Sequence, residues 1–266
     1  MFIVGERINT TRNSMDQAVR ERKTEVIQEE AIRQVQAGAN TLDVNCGSLK
    51  AEEEPEALTW LVKTVQSVTA LPLCLDSPNP EALAAGLAAH QGKPMINSIS
   101  GERSRYIRVL KLIKEYHASV VALGMDDQGI PQEKSQALEV GVRLVETLLA
   151  DDIPLDDIYF DPLVRSLATS PGSVLETLGL MQDLKARFPG LHFISGLSNV
   201  SFGLPERRYL NRAFVVLSVA SGLDAVIMDP LDRDMVALIY AAEALIGRDR
   251  FCLKYIEAYH QGRLKA

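Results

Sequence analysis

The sequence predicts a single (β/α)8 barrel, and three observations carry that prediction. Short apolar runs alternate strictly with helix-like segments, there are eight such units, and each run ends in a carboxylate, a carboxamide or a small polar residue. Strict alternation builds a parallel sheet. Eight units in 266 residues favour a closed barrel over an open doubly wound sheet, because barrels of this kind run to roughly 250 residues. Neither G-x-G-x-x-G after the first strand nor G-x-x-x-x-G-K-[ST] anywhere is present, so both nucleotide-binding fingerprints are missing.

The elements follow in order. Phe2–Ile8 is the first strand, and Asp16–Ala37, rich in Glu, Gln, Arg and Ala, is one helix ended by Gly38. Thr41–Asn45 is strand two, and Pro55 suits the first turn of a helix reaching Val68. Pro72–Asp76 is strand three, Pro80–His90 its helix, and Met95–Ser98 strand four. A basic amphipathic helix, Arg103–His117, leads to strand five at Ser119–Met125. Helix Gln132–Ala150 precedes strand six, Asp157–Asp161. Helix Ser173–Phe188 has Ser173 or Gly172 as its cap and precedes strand seven, Leu191–Gly196. The next helix starts at Pro205 or Arg208 and ends at Ser221. Ala225–Asp229 is strand eight and Asp234–Leu245 its helix. The expected domain is 1–266, with 250–266 a helical extension packed outside the barrel or at a subunit contact.

Composition narrows the function classes. A hydrophobic content of 47% supports a large core, and a net charge of −7 argues against nucleic acid as a main partner. No apolar run approaches the roughly 20 residues of a membrane span. The charged start, Glu6-Arg7, comes too early for a signal peptide, so a cytoplasmic location is expected. Cys46, Cys74 and Cys252 are odd in number and form no CxxC, which fits a reducing compartment and simple packing for all three. His90, His117, His192 and His260 are scattered without metal-ligand spacing, so no histidine-based metal site is expected; an oxygen-rich mouth can trap Mg2+ or Ca2+, but the chemistry read below needs no metal.

In a parallel barrel the carboxyl ends of the strands converge on one mouth, where chemistry is done. Here the mouth would be built from separated acids and uncharged amides, a composition suited to the hydrogen-bonding edge of a planar heterocycle. Asp76, Asn97 and Asp161 end strands three, four and six, and Asn199 follows strand seven. Any one of them alone could be a helix cap or turn former. A full set on successive strands is harder to explain that way.

These residues sit in runs that resemble the pterin-binding methyltransferase family, which includes the methyltetrahydrofolate:corrinoid/iron–sulfur protein methyltransferases and the folate module of cobalamin-dependent methionine synthase. The resemblance spans almost the whole chain. It rests on GERIN (5–9), LDVN (42–45), LCLDS (73–77), MINS (95–98), DPL (161–163), GLSNVSFGLPERRYLN (196–211) and GLDA (222–225), with GLSNVS the most specific. It implies a barrel that exchanges the N5 methyl of 5-methyltetrahydrofolate, in either direction, with a cob(I)amide held by a separate corrinoid protein, and it implies a homodimer. Asp76, Asn97 and Asp161 match the family's pterin-binding positions, and Asn199 matches the residue near N5. Gly196 and Ser198 belong to the same loop, while Glu6, Asn9, Asp43 and Asn45 match supporting polar positions.

The implied reaction places demands on the residues. A proton or a strong hydrogen bond must reach N5 as the methyl leaves. Asn199 has no useful acid pKa, so its amide can only stabilise charge at N5, while Asp161, Asp43, Asn45 and water could carry the proton. The corrinoid must come from a partner, because none of the four histidines has the Asp two residues earlier that D-x-H-x-x-G requires. Arg207, Arg208 and Arg212 follow GLSNVS and are candidates for the folate's glutamate tail. The basic face of Arg103, Arg105, Arg108, Lys111 and Lys114 reads first as a solvated helix surface, as does the run Glu52, Glu53, Glu54 and Glu56. Phe202 could cover the ring, touch the corrinoid or simply pack.

Two other functions fit the same fold. Dihydropteroate synthase resembles a family with a different loop after strand one and a Lys near strand seven; here those places read Asn9-Thr10-Thr11-Arg12-Asn13-Ser14 and Ser198-Asn199-Val200. A non-catalytic pterin-binding subunit is the third reading, and the presence of Asn199 weakens it.

Overall fold

In the computed structural model, which describes residues 1–264, eight parallel strands close in sequence order into one barrel. The strands are β1 (Phe2–Asn9), β2 (Thr41–Asn45), β3 (Leu73–Asp76), β4 (Met95–Gly101), β5 (Ser119–Asp126), β6 (Ile158–Asp161), β7 (His192–Gly196) and β8 (Ala225–Met228). β8 pairs back onto β1, with Phe2 opposite Ala225 and Gly5 opposite Met228. The (β/α)8 fold class that the alternation predicts is therefore the fold observed.

Two apolar assemblies hold it together. The larger lies between the barrel and its helices and includes Leu42, Leu58, Leu75, Ile96, Phe160 and Phe193, all fully buried. The smaller fills the barrel interior with Val4, Cys74, Met95, Val121, Ile194 and Ala225. Strand side chains alternate faces, so two residues further along each strand the inward positions reach the mouth. Those positions are Glu6, Asp76, Asn97 and Gly196 on β1, β3, β4 and β7. The apolar plug thus forms the floor on which the polar layer rests.

The predicted helix Asp16–Ala37 is two helices, α1 (Asn13–Arg20) and α2 (Thr24–Gln36), broken where Arg22 adopts a left-handed φ of 52°. Helical periodicity continues across the break, so apolar spacing alone did not reveal it. α3 (Glu54–Gln66), α4 (Pro80–Ala89), α5 (Arg103–Tyr116), α6 (Lys134–Ala150), α7 (Ser173–Arg187) and α9 (Arg233–Leu245) lie close to expectation. α8 (Arg207–Ala220) begins within the range expected for it.

Strand β4 runs three residues past Ser98 to Gly101, with register shifts against β5 after Asn97 and after Ser100. The Asn97–Ser98 peptide is cis. After α9 the chain makes a 3-10 turn at Arg250–Cys252 and enters α10 (Leu253–His260). Asp249 anchors α10 by accepting from the amides of Lys254 at 3.0 Å and Tyr255 at 2.9 Å. Residues 265–266 of the expected extension lie outside the described residues.

The three cysteines do not behave alike. Cys46 and Cys74 are buried, as packing predicts, but Cys252 is exposed because it sits in the irregular turn before α10.

Candidate active site

The barrel's parallel register sets the site. Asn45 on β2 stands opposite Asp76 on β3, and Asp76 opposite Asn97 on β4. Three consecutive strands therefore present an amide, a carboxylate and an amide at one level of the mouth. The Asn45 amide Nδ2 donates to Asp76 Oδ2 at 2.8 Å, and Asn45 Oδ1 accepts from the Gly47 amide at 2.9 Å. Asn45 is thus locked in orientation, and one Asp76 oxygen remains for another donor. Burial pushes the Asp76 carboxyl above the ordinary carboxylate range, while the Asn45 hydrogen bond and the nearby Arg105 charge pull it back.

Asp43 lies one layer deeper, opposite Cys74, and is 2% exposed. Its Oδ1 has no hydrogen-bond partner among the described residues. Burial, reinforced by the Asp76 carboxylate, holds its carboxyl well above the usual range. Glu6 on β1 is pushed up to about 7, first by burial and then by the charge of Asp229 at the end of β8. Asp161 on β6 is pushed up to about 6 by burial, opposed by the hydrogen bond its Oδ1 accepts from the Leu163 amide at 2.8 Å. Glu6 and Asp161 can therefore hold or release a proton near neutral pH.

Asn9 ends β1 opposite Asn45, with its Oδ1 accepting from the Thr11 amide at 2.9 Å. This is the local turn-forming use of an asparagine, and it leaves Asn9 at the rim.

The β7 loop holds the remaining residues. Gly196 ends the strand, and a 3-10 turn, Asn199–Ser201, follows. A Cβ at Gly196 would stand in ordinary contact, 3.4 Å from Asn199 Nδ2, so the Asn199 amide lies against the strand end. Asn199 and Ser198 are exposed, and the Asn199 side-chain amide has no protein hydrogen bond among the described residues. The turn was not foreseen in the sequence, which placed these residues only in a loop.

Arginines do work that periodicity could not show. Arg207 donates to the Ser198 carbonyl at 2.6 Å and to Ser201 Oγ at 3.1 Å, and lies 5.9 Å over the exposed Phe202 ring. It fastens the turn that carries Asn199. Arg212 pairs with Asp232 at 3.0 Å and Asp234 at 2.7 Å, which occupies the charge expected for a glutamate tail. Arg105 is not on a solvated face: it turns inward and hydrogen-bonds the backbone around β3 and β4. Glu54 likewise leaves the expected acidic surface run; it is 3% exposed and accepts from Ser77 Oγ at 2.5 Å. Arg7 joins Glu30 and Asp229 beneath the rim, tying β1 to α2 and to the end of β8.

Asp76, Asn97, Asp43, Asn45, Glu6 and Asp161 thus gather around one mouth, with Gly196 and Asn199 closing it from β7. Among the described residues no group of His, Cys, Asp and Glu is placed to hold a metal ion.

Comparison with known proteins gives the same family. Residues 5–229 match the model of the pterin binding enzyme family. The chain is 36% identical over 266 residues to the methylcorrinoid:tetrahydrofolate methyltransferase of Eubacterium limosum, covering 99% of this chain and 98% of that protein. It is 32% identical over 207 residues to the methionine synthase of Mycobacterium leprae, covering 73% of this chain but 17% of that longer protein. Among solved structures, dihydropteroate synthase from Xanthomonas albilineans in complex with 7,8-dihydropteroate superimposes with a TM-score of 0.69 at 22% identity, covering 92% of each chain. That likeness is one of fold. The chain belongs to the pterin-binding enzyme family.

Proposed function

We propose that the protein is a corrinoid-dependent methyltransferase acting between tetrahydrofolate N5 and the corrinoid of a separate protein. The observation that carries this reading is the 36% identity, over nearly the full length of both chains, to a methylcorrinoid:tetrahydrofolate methyltransferase. That relative's name gives the favoured direction, from methylcorrinoid to tetrahydrofolate. The mouth supplies the matching chemistry.

Asp76 is assigned the pterin's 2-amino group and N3–H, a pair of donors that a carboxylate accepts in a fork. Asn97 and Asp161 take the remaining polar edge, with Asn45 orienting Asp76 and with Asp43, Glu6 and Asn9 in support. Gly196, Ser198 and Arg207 form and hold the turn that brings Asn199 to N5. In the proposed direction the methyl moves to the N5 lone pair, the bonding pair it leaves stays on the cobalt, and the N5–H proton departs. The Asn199 amide cannot take that proton; it orients N5 and stabilises the transient positive charge through its oxygen. The proton passes to the carboxyl network, where Asp161 near 6 and Glu6 near 7 are matched to the task.

The corrinoid arrives on a partner protein, and the chain acts as a homodimer in the cytoplasm. No helix among the described residues is long and apolar enough to cross a membrane. The extension after residue 250 exposes Phe251, Leu253, Ile256 and Tyr259, an apolar face suited to a second copy. Sedimentation giving only a 29.2 kDa species would remove the dimer from this proposal.

The deciding experiment mixes the protein with tetrahydrofolate and a methylated corrinoid, free or protein-bound. The cobalt spectrum and the formation of 5-methyltetrahydrofolate are followed together. Methyl transfer to N5 with conversion of the corrinoid to the cob(I) form is the expected result. Tetrahydrofolate binding without transfer from any methylcorrinoid would leave a binding subunit in its place.

A further inference from the structure

Arg105 reaches inward from the first turns of α5 and spends every guanidinium nitrogen on a backbone carbonyl. Nε donates to Ser98 O at 2.9 Å, Nη1 to Pro78 O at 3.0 Å and Nη2 to Ser77 O at 3.2 Å. Ser77 and Pro78 directly follow Asp76, and Ser98 directly follows Asn97. One side chain therefore clamps the segment that emerges from β3 to the middle of β4. Ser77 is held from a second side, through its hydroxyl bond to buried Glu54.

The clamp also delivers a charge. Arg105 makes no ion pair within 4.0 Å of a carboxylate among the described residues, unlike Arg7, Arg165 and Arg212. Its nitrogens meet only backbone carbonyls, and its charge is felt first by Glu102, just before α5, and then by Asp76. With the Asn45 hydrogen bond, which acts more strongly in the same sense, the Arg105 field opposes the burial and the Glu54 charge that push the Asp76 carboxyl upward, and the buried Asp43 carboxyl faces Asp76 from one layer below. A guanidinium suits this work because its planar fork meets several acceptors at once and it stays charged when partly buried.

We infer that Arg105 is a positioning residue for the pterin site: it fixes the spacing of Asp76 and Asn97 and sets a guanidinium near the Asp76 carboxylate that accepts the ring's N–H donors. This rests on the pterin-site reading proposed above. The residue touches the backbone rather than the ligand, so its effect passes through Asp76.

The test compares wild type, Arg105→Gln, Arg105→Lys and Asp76→Asn, measuring tetrahydrofolate affinity by fluorescence titration across pH and fold by circular dichroism. Arg105→Gln, which loses charge and clamp together, is expected to weaken binding at neutral pH about tenfold or more. Its acid limb of binding should move to higher pH, because Asp76 without the guanidinium takes up its proton earlier. Arg105→Lys restores the charge and should return the acid limb towards the wild-type position while leaving affinity below wild type. Asp76→Asn should bind weakly and lose the part of that limb that Asp76 carries, leaving the part set by Asp161 and Glu6. A folded Arg105→Gln with wild-type affinity and pH profile would overturn the role, and so would weakened binding with an unmoved acid limb. If Arg105→Gln fails to fold, the position of the limb in Arg105→Lys and in Arg105→Met carries the same comparison. Absence of tetrahydrofolate binding by the wild type would refute the pterin reading itself, an outcome separate from an altered Arg105 variant beside a binding wild type.

Discussion

Asn45 and Asp76 stand side by side on β2 and β3 and are joined by an Nδ2–Oδ2 hydrogen bond of 2.8 Å. This bond leaves one Asp76 oxygen for another donor, and in the pterin site proposed above it sets the side from which the ring approaches. Asn45→Ala should therefore weaken tetrahydrofolate binding by about five- to tenfold, the loss of one hydrogen bond to a charged group. Asp76→Ala should weaken it further, because the acceptor itself is gone. Isothermal titration of the two variants checks the order; an Asn45→Ala loss equal to that of Asp76→Ala would mean Asn45 contacts the ligand directly.

Asn199 has a different signature. Its amide is free and exposed beside Gly196, so removing it costs little fold stability and no protein hydrogen bond. Asn199→Ala should slow methyl transfer by about 10²-fold or more while changing tetrahydrofolate affinity by less, since the interaction is strongest when charge develops at N5. Single-turnover rates beside equilibrium binding separate the two effects. Equal losses in both would place Asn199 in ground-state binding.

Glu6 links the site to stability. Its folded pKa of about 7 lies above the ordinary value of 4.5, so the folded state binds a proton more readily than the unfolded chain. The stability from this group is fully present below pH 4.5 and is lost as pH rises through 7. Glu6→Gln should therefore raise stability at pH 8 by up to about 2–3 kcal/mol relative to wild type, and much less at pH 5. Urea unfolding at the two pH values reads the difference. A gain of equal size at both would mean that charge at Glu6 is not the cause.

Gly124 on β5 abuts the barrel wall. A Cβ there would lie 2.9 Å from Phe160 Cζ and 3.2 Å from the Asp161 carbonyl oxygen. Gly124→Ala should cost about 1–3 kcal/mol through overpacking. It should also weaken pterin binding, because the backbone it presses on carries Asp161. Thermal unfolding and titration of this variant check both parts; an unchanged midpoint would show that Phe160 and β6 yield freely.

The barrel and most of its mouth were legible in the sequence for a physical reason. Alternating faces and the strand–helix period are written residue by residue, and parallel closure places every strand's last polar residue at the same end. Asp76, Asn97, Asp161, Asp43 and Asn45 could be named from that rule and the family motifs together. The Arg22 break in the first helical stretch could not, because a single left-handed residue leaves the apolar spacing intact. Nor could the roles of the arginines. A long side chain's partner is fixed by where distant segments lie, and Arg105, Arg207 and Arg212 look alike in a string of letters.

The sequence by itself determined the fold class, the count of strands and the family, since these depend on local pattern and on motifs that survive without coordinates. Only the tertiary structure decided which carboxyls share a dry environment, and so which are pushed towards neutral pH. It also decided that Arg105 bends inward while its helix neighbours Arg103 and Arg108 stay exposed. Burial and charge–charge distance are properties of packing between elements far apart in the chain, and no local spacing encodes them.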